Sequence, residues 1–292
     1  MIMDETELVH ASVASVVRAG RRPTHGRWRF LLVVPLLIAV KWSIDGTGFD
    51  IGQLVSGSRT SYVHTFTGLL LHPNLSSDFL GACLAGVLQT LQIAILGIVF
   101  GAIMAFPLAI LATRGLLGAG GEGLGWRRGL GGRVLYVGAR TILSFWRAMP
   151  ALVWALFFVA IVGLGAFPAV LALSIHSAGL LGKLYAEVME AVDQRPIEAL
   201  RATGAGRLQV LCYAVIPQAW SGFVSLTLYQ CECNIRDSTI VGVVGAVGIG
   251  YSLYENVQQF NYHEVSTLIA VTFLMVVVVD NLSALLRRTL AS

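Results

Sequence analysis

Apolar residues fill long runs of this chain, and shorter segments between the runs collect most of its charges. A helix needs about 20 mostly apolar residues to cross a bilayer, because each residue advances it by about 1.5 Å. By this measure the pattern predicts six membrane-spanning helices and an all-α integral membrane protein. The expected spans are Phe30–Ile44, Ala82–Ala112, Ala148–Val162, Phe167–Leu184, Tyr213–Cys233 and Val265–Leu286.

The first of these segments has a second interpretation. Phe30–Ile44 combines a basic flank with a short apolar core, as a cleavable signal peptide does. The residues at its end read KWSIDG and contain no small-x-small cleavage pattern. We therefore favour an uncleaved span.

The basic residues indicate the orientation of the spans. Fifteen of the twenty lie on one alternating set of segments: residues 1–29, 113–140, 184–212 and 287–292. Cytoplasmic loops carry the excess of Arg and Lys, so both termini are expected in the cytoplasm of a multi-pass protein of the cytoplasmic membrane. Residues 45–81 are then extracytoplasmic, and residues 82–286 form the main transmembrane domain.

Composition agrees with a membrane protein. The chain is 56% apolar and 12% charged, against about 25% charged for soluble domains, and its mean hydropathy is +0.75. The net charge of +4 is explained by the loop bias and does not indicate nucleic acid. The four cysteines lack zinc spacing and are expected to be reduced, packed thiols; no metal site is expected.

Motifs for nucleotide binding and catalysis are weak. GAGGEG, at residues 118–123, matches a dinucleotide fingerprint, but it follows no strand and reads better as a loop. No Walker-type sequence occurs, so the chain is not expected to bind ATP through a P-loop of its own. His176 is the one histidine inside a predicted span, where a packing role is commoner than proton relay. We predict no catalytic residue.

Two stretches are candidates for an anion pathway. Arg147 opens the third span in the sequence RAMP; it is either a snorkelling arginine or a cationic entrance. The run IRDSTIVGVVGAVGIG after the fifth span offers Arg236, Ser238, Thr239 and the backbone N–H groups of a glycine-rich segment. The alternative is a structural re-entrant turn capped by a surface pair of Arg236 with Asp237.

The segment Pro196 to Pro217 is predicted to form an elbow. Pro196 suits the first turn of a helix, and Gly204 suits the left-handed residue that ends one. A new helix begins after Gly206 and enters the bilayer with Pro217 inside it. The elbow is either a solvated connector or a short helix that docks in the groove of another protein.

The elbow resembles a known motif. Its spacing matches E-A-A-x3-G-x9-I-x-L-P of ABC importer permeases, with Leu200, Ala214 and Ile216 as conservative departures. The stretches RAMPALVWALFFVAIVGLG, HSAGLLGKLYAEVMEAVD, RPIEALRATGA and STIVGVVGAVGIG look like the permease subunit of phosphonate-type importers, the PhnE family. The resemblance covers roughly residues 81–290.

The resemblance implies a type I importer permease of MetI-like architecture that moves a small phosphorus oxyanion by alternating access. It further implies a second permease copy, two cytoplasmic ATPase subunits that hold ATP and Mg, and an extracytoplasmic binding protein. The ATPase-coupling residues would be Pro196, Glu198, Ala199, Arg201, Gly204 and Pro217. Alternatives are an importer permease for another small solute and a secondary anion transporter; co-purification with an ATPase would exclude the latter.

Overall fold

A computed structural model describes residues 26–48, 68, 72–114 and 130–290, and every regular element in this part is helical. The predicted loop at residues 118–123 lies outside the described residues, as do most of residues 1–29 and 45–81. The helices are α1 (Gly26–Thr47), α2 (Ser77–Ala112), α3 (Leu130–Ala148), α4 (Ala151–Val162), α5 (Ala166–Glu190), α6 (Gln194–Ala202), α7 (Arg207–Val210), a π-helical turn (Leu211–Val215), α8 (Ile216–Gly245), α9 (Gly248–Gln258) and α10 (Tyr262–Leu290).

The chain divides into two units, residues 1–64 and 65–292. Helix α1 belongs to the first unit and contains the predicted span Phe30–Ile44. Its 22 residues correspond to a length of about 33 Å, close to the thickness of a bilayer core. Its described apolar side chains are exposed, as in Val34 and Trp42.

Within the described residues of the second unit, four helices are long and apolar enough to cross a membrane. They are α2, α5, the continuous helix Arg207–Gly245 and α10. Helices α3 and α4 form a bent pair with an angle of 91° between them, which makes five spans if the pair counts as one. These helices account for the last five predicted spans.

The bend corrects the predicted third span, Ala148–Val162. Helix α4 begins only at Ala151, and its 12 residues extend about 18 Å, too short to cross alone. Pro150 explains the break, because it lacks an N–H and disfavours helical backbone at the preceding Met149. The span therefore needs α3, which the prediction placed outside the membrane.

The predicted end of the fifth span at Cys233 is also wrong. The helix continues through the glycine-containing run to Gly245 and breaks only at Ala246, whose φ is +57°. The glycines of this run do not unwind the helix. Their role is close packing, because a Cβ on Gly245 would lie 3.0 Å from the carbonyl oxygen of Gly165.

Helix α5 is the centre of the second unit and packs against α2, α3, α4 and α8. Small residues bring the backbones together, as expected where helices associate inside a bilayer. A Cβ on Gly101 would lie 2.8 Å from Cβ of Ser177, and one on Gly179 would lie 2.7 Å from the backbone nitrogen of Arg147. These contacts hold α2 and α3 against α5.

Candidate functional site

The predicted elbow is a distinct nine-residue helix, α6, between two long helices. Asp193 caps its N-terminus, because its carboxylate accepts a hydrogen bond from the backbone N–H of Arg195 at 3.1 Å. Pro196 lies in the first turn, where its missing N–H costs nothing. The sequence prediction of a helix that begins here is confirmed.

The C-terminus of α6 forms a Schellman motif around Gly204. The N–H of Ala205 donates to the carbonyl of Leu200 at 3.3 Å, and the N–H of Gly204 donates to that of Arg201 at 3.0 Å. Gly204 has φ +81°, the left-handed region that favours glycine. The chain can therefore reverse within four residues and enter α7.

The two faces of α6 differ. Ile197 is 5% exposed and packs into the cluster that contains Val210 and Leu211, which fixes the short helix to the base of the next one. Glu198, Ala199 and Arg201 lie on its exposed side. The elbow thus presents an anchored helix with a charged outer surface.

A π-helical turn joins the elbow to α8. Pro217 cannot donate a backbone hydrogen bond, and its ring would clash with the carbonyl four residues before it in a regular helix. The turn widens so that the N–H of Ile216 bonds to the carbonyl of Leu211. Gln218 ties this turn to the start of α6, since its side-chain oxygen accepts from the N–H of Asp193 at 3.1 Å.

A polar clamp holds the end of α5 next to the elbow. Glu190 accepts hydrogen bonds from the backbone of Arg114 at 2.8 Å and from Arg140 at 2.9 Å. Arg140 also donates to the last carbonyl of α2, at Ala112. A hydrogen bond to Tyr136 raises the pKa of Arg114, which stays cationic. The clamp joins α2, α3 and α5 at the end from which the elbow projects.

A second polar group lies where three long helices meet. Asn234 of α8 is fully buried, and its Oδ1 accepts from Ser177 of α5 at 2.8 Å and from Gln230 at 3.2 Å. A Cβ on Gly97 of α2 would lie 3.5 Å from Nδ2 of Asn234. Gly97 and Ser177 are each near the midpoint of their helix, so this group marks the middle of the bundle.

A chain of four charged residues links α8 to α10 beside this group. Arg236 donates to Glu232 at 2.6 Å and to both oxygens of Asp280 at 3.1 Å, and Arg287 donates to Glu232 at 3.2 Å. We call these residues the charged chain. Asp280 thus contacts a neighbouring helix, and the alternative of an Arg236–Asp237 surface pair is wrong.

The other predicted pathway residues are dispersed. The hydroxyls of Ser238 and Thr239 donate to backbone carbonyls of α8 three residues earlier, at 2.8 and 2.7 Å. Ser238 is buried, whereas Arg147 is exposed at the last turn of α3. The structure brings Arg236 and Thr239 onto one helix and leaves Arg147 on another.

The backbone of the glycine-rich run does not offer the free N–H groups expected from the sequence. Up to Gly245 they lie in α8. At the start of α9, the N–H of Gly248 donates to Gln89 and that of Ile249 to Thr90 of α2, both at 3.0 Å. Sequence reasoning missed this cap, although two adjacent polar residues inside an apolar span were its visible signal.

Among the described residues, no group of three or more His, Cys, Asp and Glu side chains is placed to hold a metal ion. The arrangement instead supplies an anchored external helix and an ionic connection between spans. Such an arrangement can pass a movement of α6 to the long helices and holds charged side chains of α8 and α10 together.

Known proteins are similar to this chain in sequence. A family model described as "binding-protein-dependent transport system inner membrane component" matches residues 121–292. A putative phosphite transport system permease protein, HtxC, of Stutzerimonas stutzeri is 36% identical over 276 residues, covering 94% of this chain and 90% of that protein. A phosphate-import permease protein, PhnE, of Mycolicibacterium smegmatis is 32% identical over 253 residues, covering 87% of this chain and 44% of that protein.

Solved structures show the same fold. The inward-facing MetNI methionine ABC transporter contains a chain that superposes with a TM-score of 0.63 at 22% sequence identity. The match covers 74% of the present chain and 99% of that one.

Proposed function

The chain belongs to the family of binding-protein-dependent transport system inner membrane components, and we propose that it is the permease subunit of an ATP-driven importer for a small phosphorus oxyanion. The fold is the MetI-like fold of type I importer permeases, as predicted. The resemblance to phosphonate-type permeases is likewise confirmed by the relatives described above.

The observation that carries the proposal is the elbow. A helix anchored by Ile197 and tied to α8 through Gln218 moves together with that long helix. The clamp at Glu190 connects the same end to α2 and α3. A subunit that grips α6 can therefore move α8 directly and α2, α3 and α5 through the clamp, which is what ATP-driven alternating access requires.

We assign the grip to a cytoplasmic ATPase, which holds ATP and Mg in its own sites. Glu198, Ala199 and Arg201 supply the exposed contact surface, while Pro196, Gly204 and Pro217 set the shape of the elbow. Docking of a short helix in a groove is a common mode of recognition. This assignment places both termini of the chain in the cytoplasm, in agreement with the bias of Arg residues in the loops.

The proposed substrate class is supported by the relatives, whose names specify phosphite and phosphate. Arg236 is our first candidate to compensate the anion's charge, with Thr239 one turn away on α8; Arg147 and Ser238 stay in the proposed set. The proposal includes a second copy of the chain, which lines the other half of the pathway. Two-fold pairing is the commonest symmetry of oligomers. An extracytoplasmic binding protein delivers the anion.

The test uses the complete complex of permease, ATPase and binding protein in proteoliposomes. We expect ATP-dependent uptake of at least one of phosphite, phosphate and methylphosphonate. Glu198→Arg should lower substrate-stimulated ATP hydrolysis by about tenfold or more, since reversing a charge in a docked surface costs at least about 1.4 kcal/mol.

Glu187→Arg is the matched control. It reverses an exposed carboxylate of α5 whose described partner is Lys183, three and a half ångströms away, outside α6. If Glu198→Arg shows normal substrate-stimulated ATP hydrolysis, the elbow is not the docking site of the ATPase. Uptake of none of the three anions by the wild-type complex would refute the substrate class.

A further inference from the structure

Arg236 and Asp280 of the charged chain lie far from the ends of the bundle. Buried Ala94, Ile235 and Met275 meet in one cluster, and Ala94 and Met275 are each near the middle of their helices, α2 and α10. Arg236 follows Ile235 directly, and Asp280 lies five residues after Met275, about 8 Å along the axis. The hydrocarbon layer extends about 15 Å to each side of its middle. Both residues are therefore at hydrocarbon depth.

These charges are also accessible from the side of the bundle. The side chain of Arg236 is 47% exposed and that of Asp280 is 39% exposed. Charged groups that face lipid at this depth are costly, so they face the interior of an assembly or a water-filled cavity. For the permease subunit proposed above, the water-filled cavity that fits this face of α8 and α10 is the substrate pathway.

The guanidinium of Arg236 is only partly used. Within the described part of the chain, all of its hydrogen bonds leave from Nη2. An arginine has five N–H donors, so those on Nε and Nη1 are available on the exposed side. The same planar fork matches the oxygens of a phosphorus oxyanion.

The formal charges of the charged chain cancel, since two arginines face two carboxylates. With Asp280 in place, Arg236 therefore presents no excess positive charge to an approaching anion. Glu232 is shared with Arg287 and is the more buried carboxylate, at 13% exposed. Asp280 is the carboxylate that can be replaced without leaving Arg287 unpaired.

We propose that Asp280 is the resident counter-ion of Arg236 and that the substrate oxyanion replaces it during transport. This inference rests on the proposed function. While the pathway is empty, Asp280 neutralises the arginine at membrane depth; when the anion binds, its oxygens take over Nη2 and the free donors. The exchange also releases α10 from α8, because Arg236 and Asp280 belong to different helices.

Helix α10 is the span best suited to move when the bound anion releases the ion pair. Among the described residues, only 17% of the most apolar stretch of α10 is buried against other helices, compared with 61% of that of α5. A helix with little packing against its own subunit is held substantially by specific contacts such as the pair with Arg236. Substrate occupancy and the arrangement of the spans are thereby linked through one ion pair.

The test compares Arg236→Gln, Asp280→Asn and the double variant Arg236→Gln/Asp280→Asn in the proteoliposomes described above. Uptake of phosphite, phosphate and methylphosphonate is measured together with the yield of assembled complex. The control is Glu187→Gln, which breaks an ion pair of similar exposure on α5. We expect Arg236→Gln to reduce uptake by at least about tenfold, the loss of one charged hydrogen-bonded contact.

The double variant distinguishes the two explanations of the pair. If Asp280 is a counter-ion, Asp280→Asn half-saturates at a lower anion concentration and loses part of the stimulation of ATP hydrolysis by the anion, because the ion pair that links occupancy to the spans is gone. The double variant then stays as defective in uptake as Arg236→Gln. If the pair only fastens α10 to α8, each single variant leaves the charged chain with one uncompensated charge and loses assembly, whereas the neutral double variant recovers both assembly and uptake. That recovery overturns the inference while leaving the proposed function intact.

Discussion

The cap of α9 by Thr90 predicts a measurable loss of stability in Thr90→Val. The hydroxyl of Thr90 donates to the carbonyl of Gly86 at 2.8 Å and accepts the N–H of Ile249 at 3.0 Å, and the side chain is 1% exposed. Valine preserves the branched shape and removes the acceptor. A buried N–H without a partner costs about 1–3 kcal/mol, and hydrogen bonds between side chains of membrane helices average about 0.6 kcal/mol.

We therefore expect Thr90→Val to lower the free energy of unfolding by about 0.6–3 kcal/mol. The assay is reversible unfolding of the purified protein in mixed detergent micelles, followed by the loss of helical signal. Thr90→Ser is the matched control, because it keeps the hydroxyl and removes only a methyl group. The reasoning is refuted if Thr90→Val is as stable as Thr90→Ser, since the N–H of Ile249 would then have needed no partner from α2.

Two further predictions concern glycines with contrasting surroundings. Gly204→Ala should lower stability by about 1 kcal/mol, because Gly204 has φ +81°, a backbone conformation that alanine disfavours. Gly206→Ala, at φ −70°, should be close to neutral. Thermal unfolding compares the two variants, and equal midpoints would contradict the strain argument. Gly179→Ala should destabilise the bundle by about 1–3 kcal/mol, because the new methyl group would overlap with the backbone of Arg147. Gly138→Ala, at an open position of α3, should instead increase stability by up to about 1 kcal/mol. Unfolding in detergent that ranks the two variants in the opposite order would be inconsistent with the α3–α5 packing.

Local chemistry made much of the elbow predictable. The short-range preferences of Pro196 and Gly204 depend on their own backbone angles, so the bounds of α6 could be inferred without the rest of the fold. The spans were found by apolar length alone. Their ends were harder, because Pro150 and Gly245 act through neighbours: one interrupts a helix, and the other lets a helix continue against α5.

Partners between helices could not be predicted. The pairing of Arg236 with Asp280 joins residues 44 positions apart, and the cap of α9 joins residues 159 positions apart. The sequence showed polar residues in apolar segments, which indicates that they need partners. Which residues meet depends on the rotation and register of packed helices, and a single amino-acid sequence does not carry that information.

The π-helical turn determines the direction in which the elbow projects around the axis of α8. A π turn accommodates one more residue than an α-helical turn, and each residue of a helix corresponds to a rotation of about 100°. The side chains before Leu211 are therefore out of phase with those after Ile216 by about that angle. Relaxing this turn to regular helix would rotate the outer surface of α6 about the axis of α8 by roughly a quarter of a circle. The direction in which Glu198 points is thus set by a single inserted residue, whose presence is explained by Pro217.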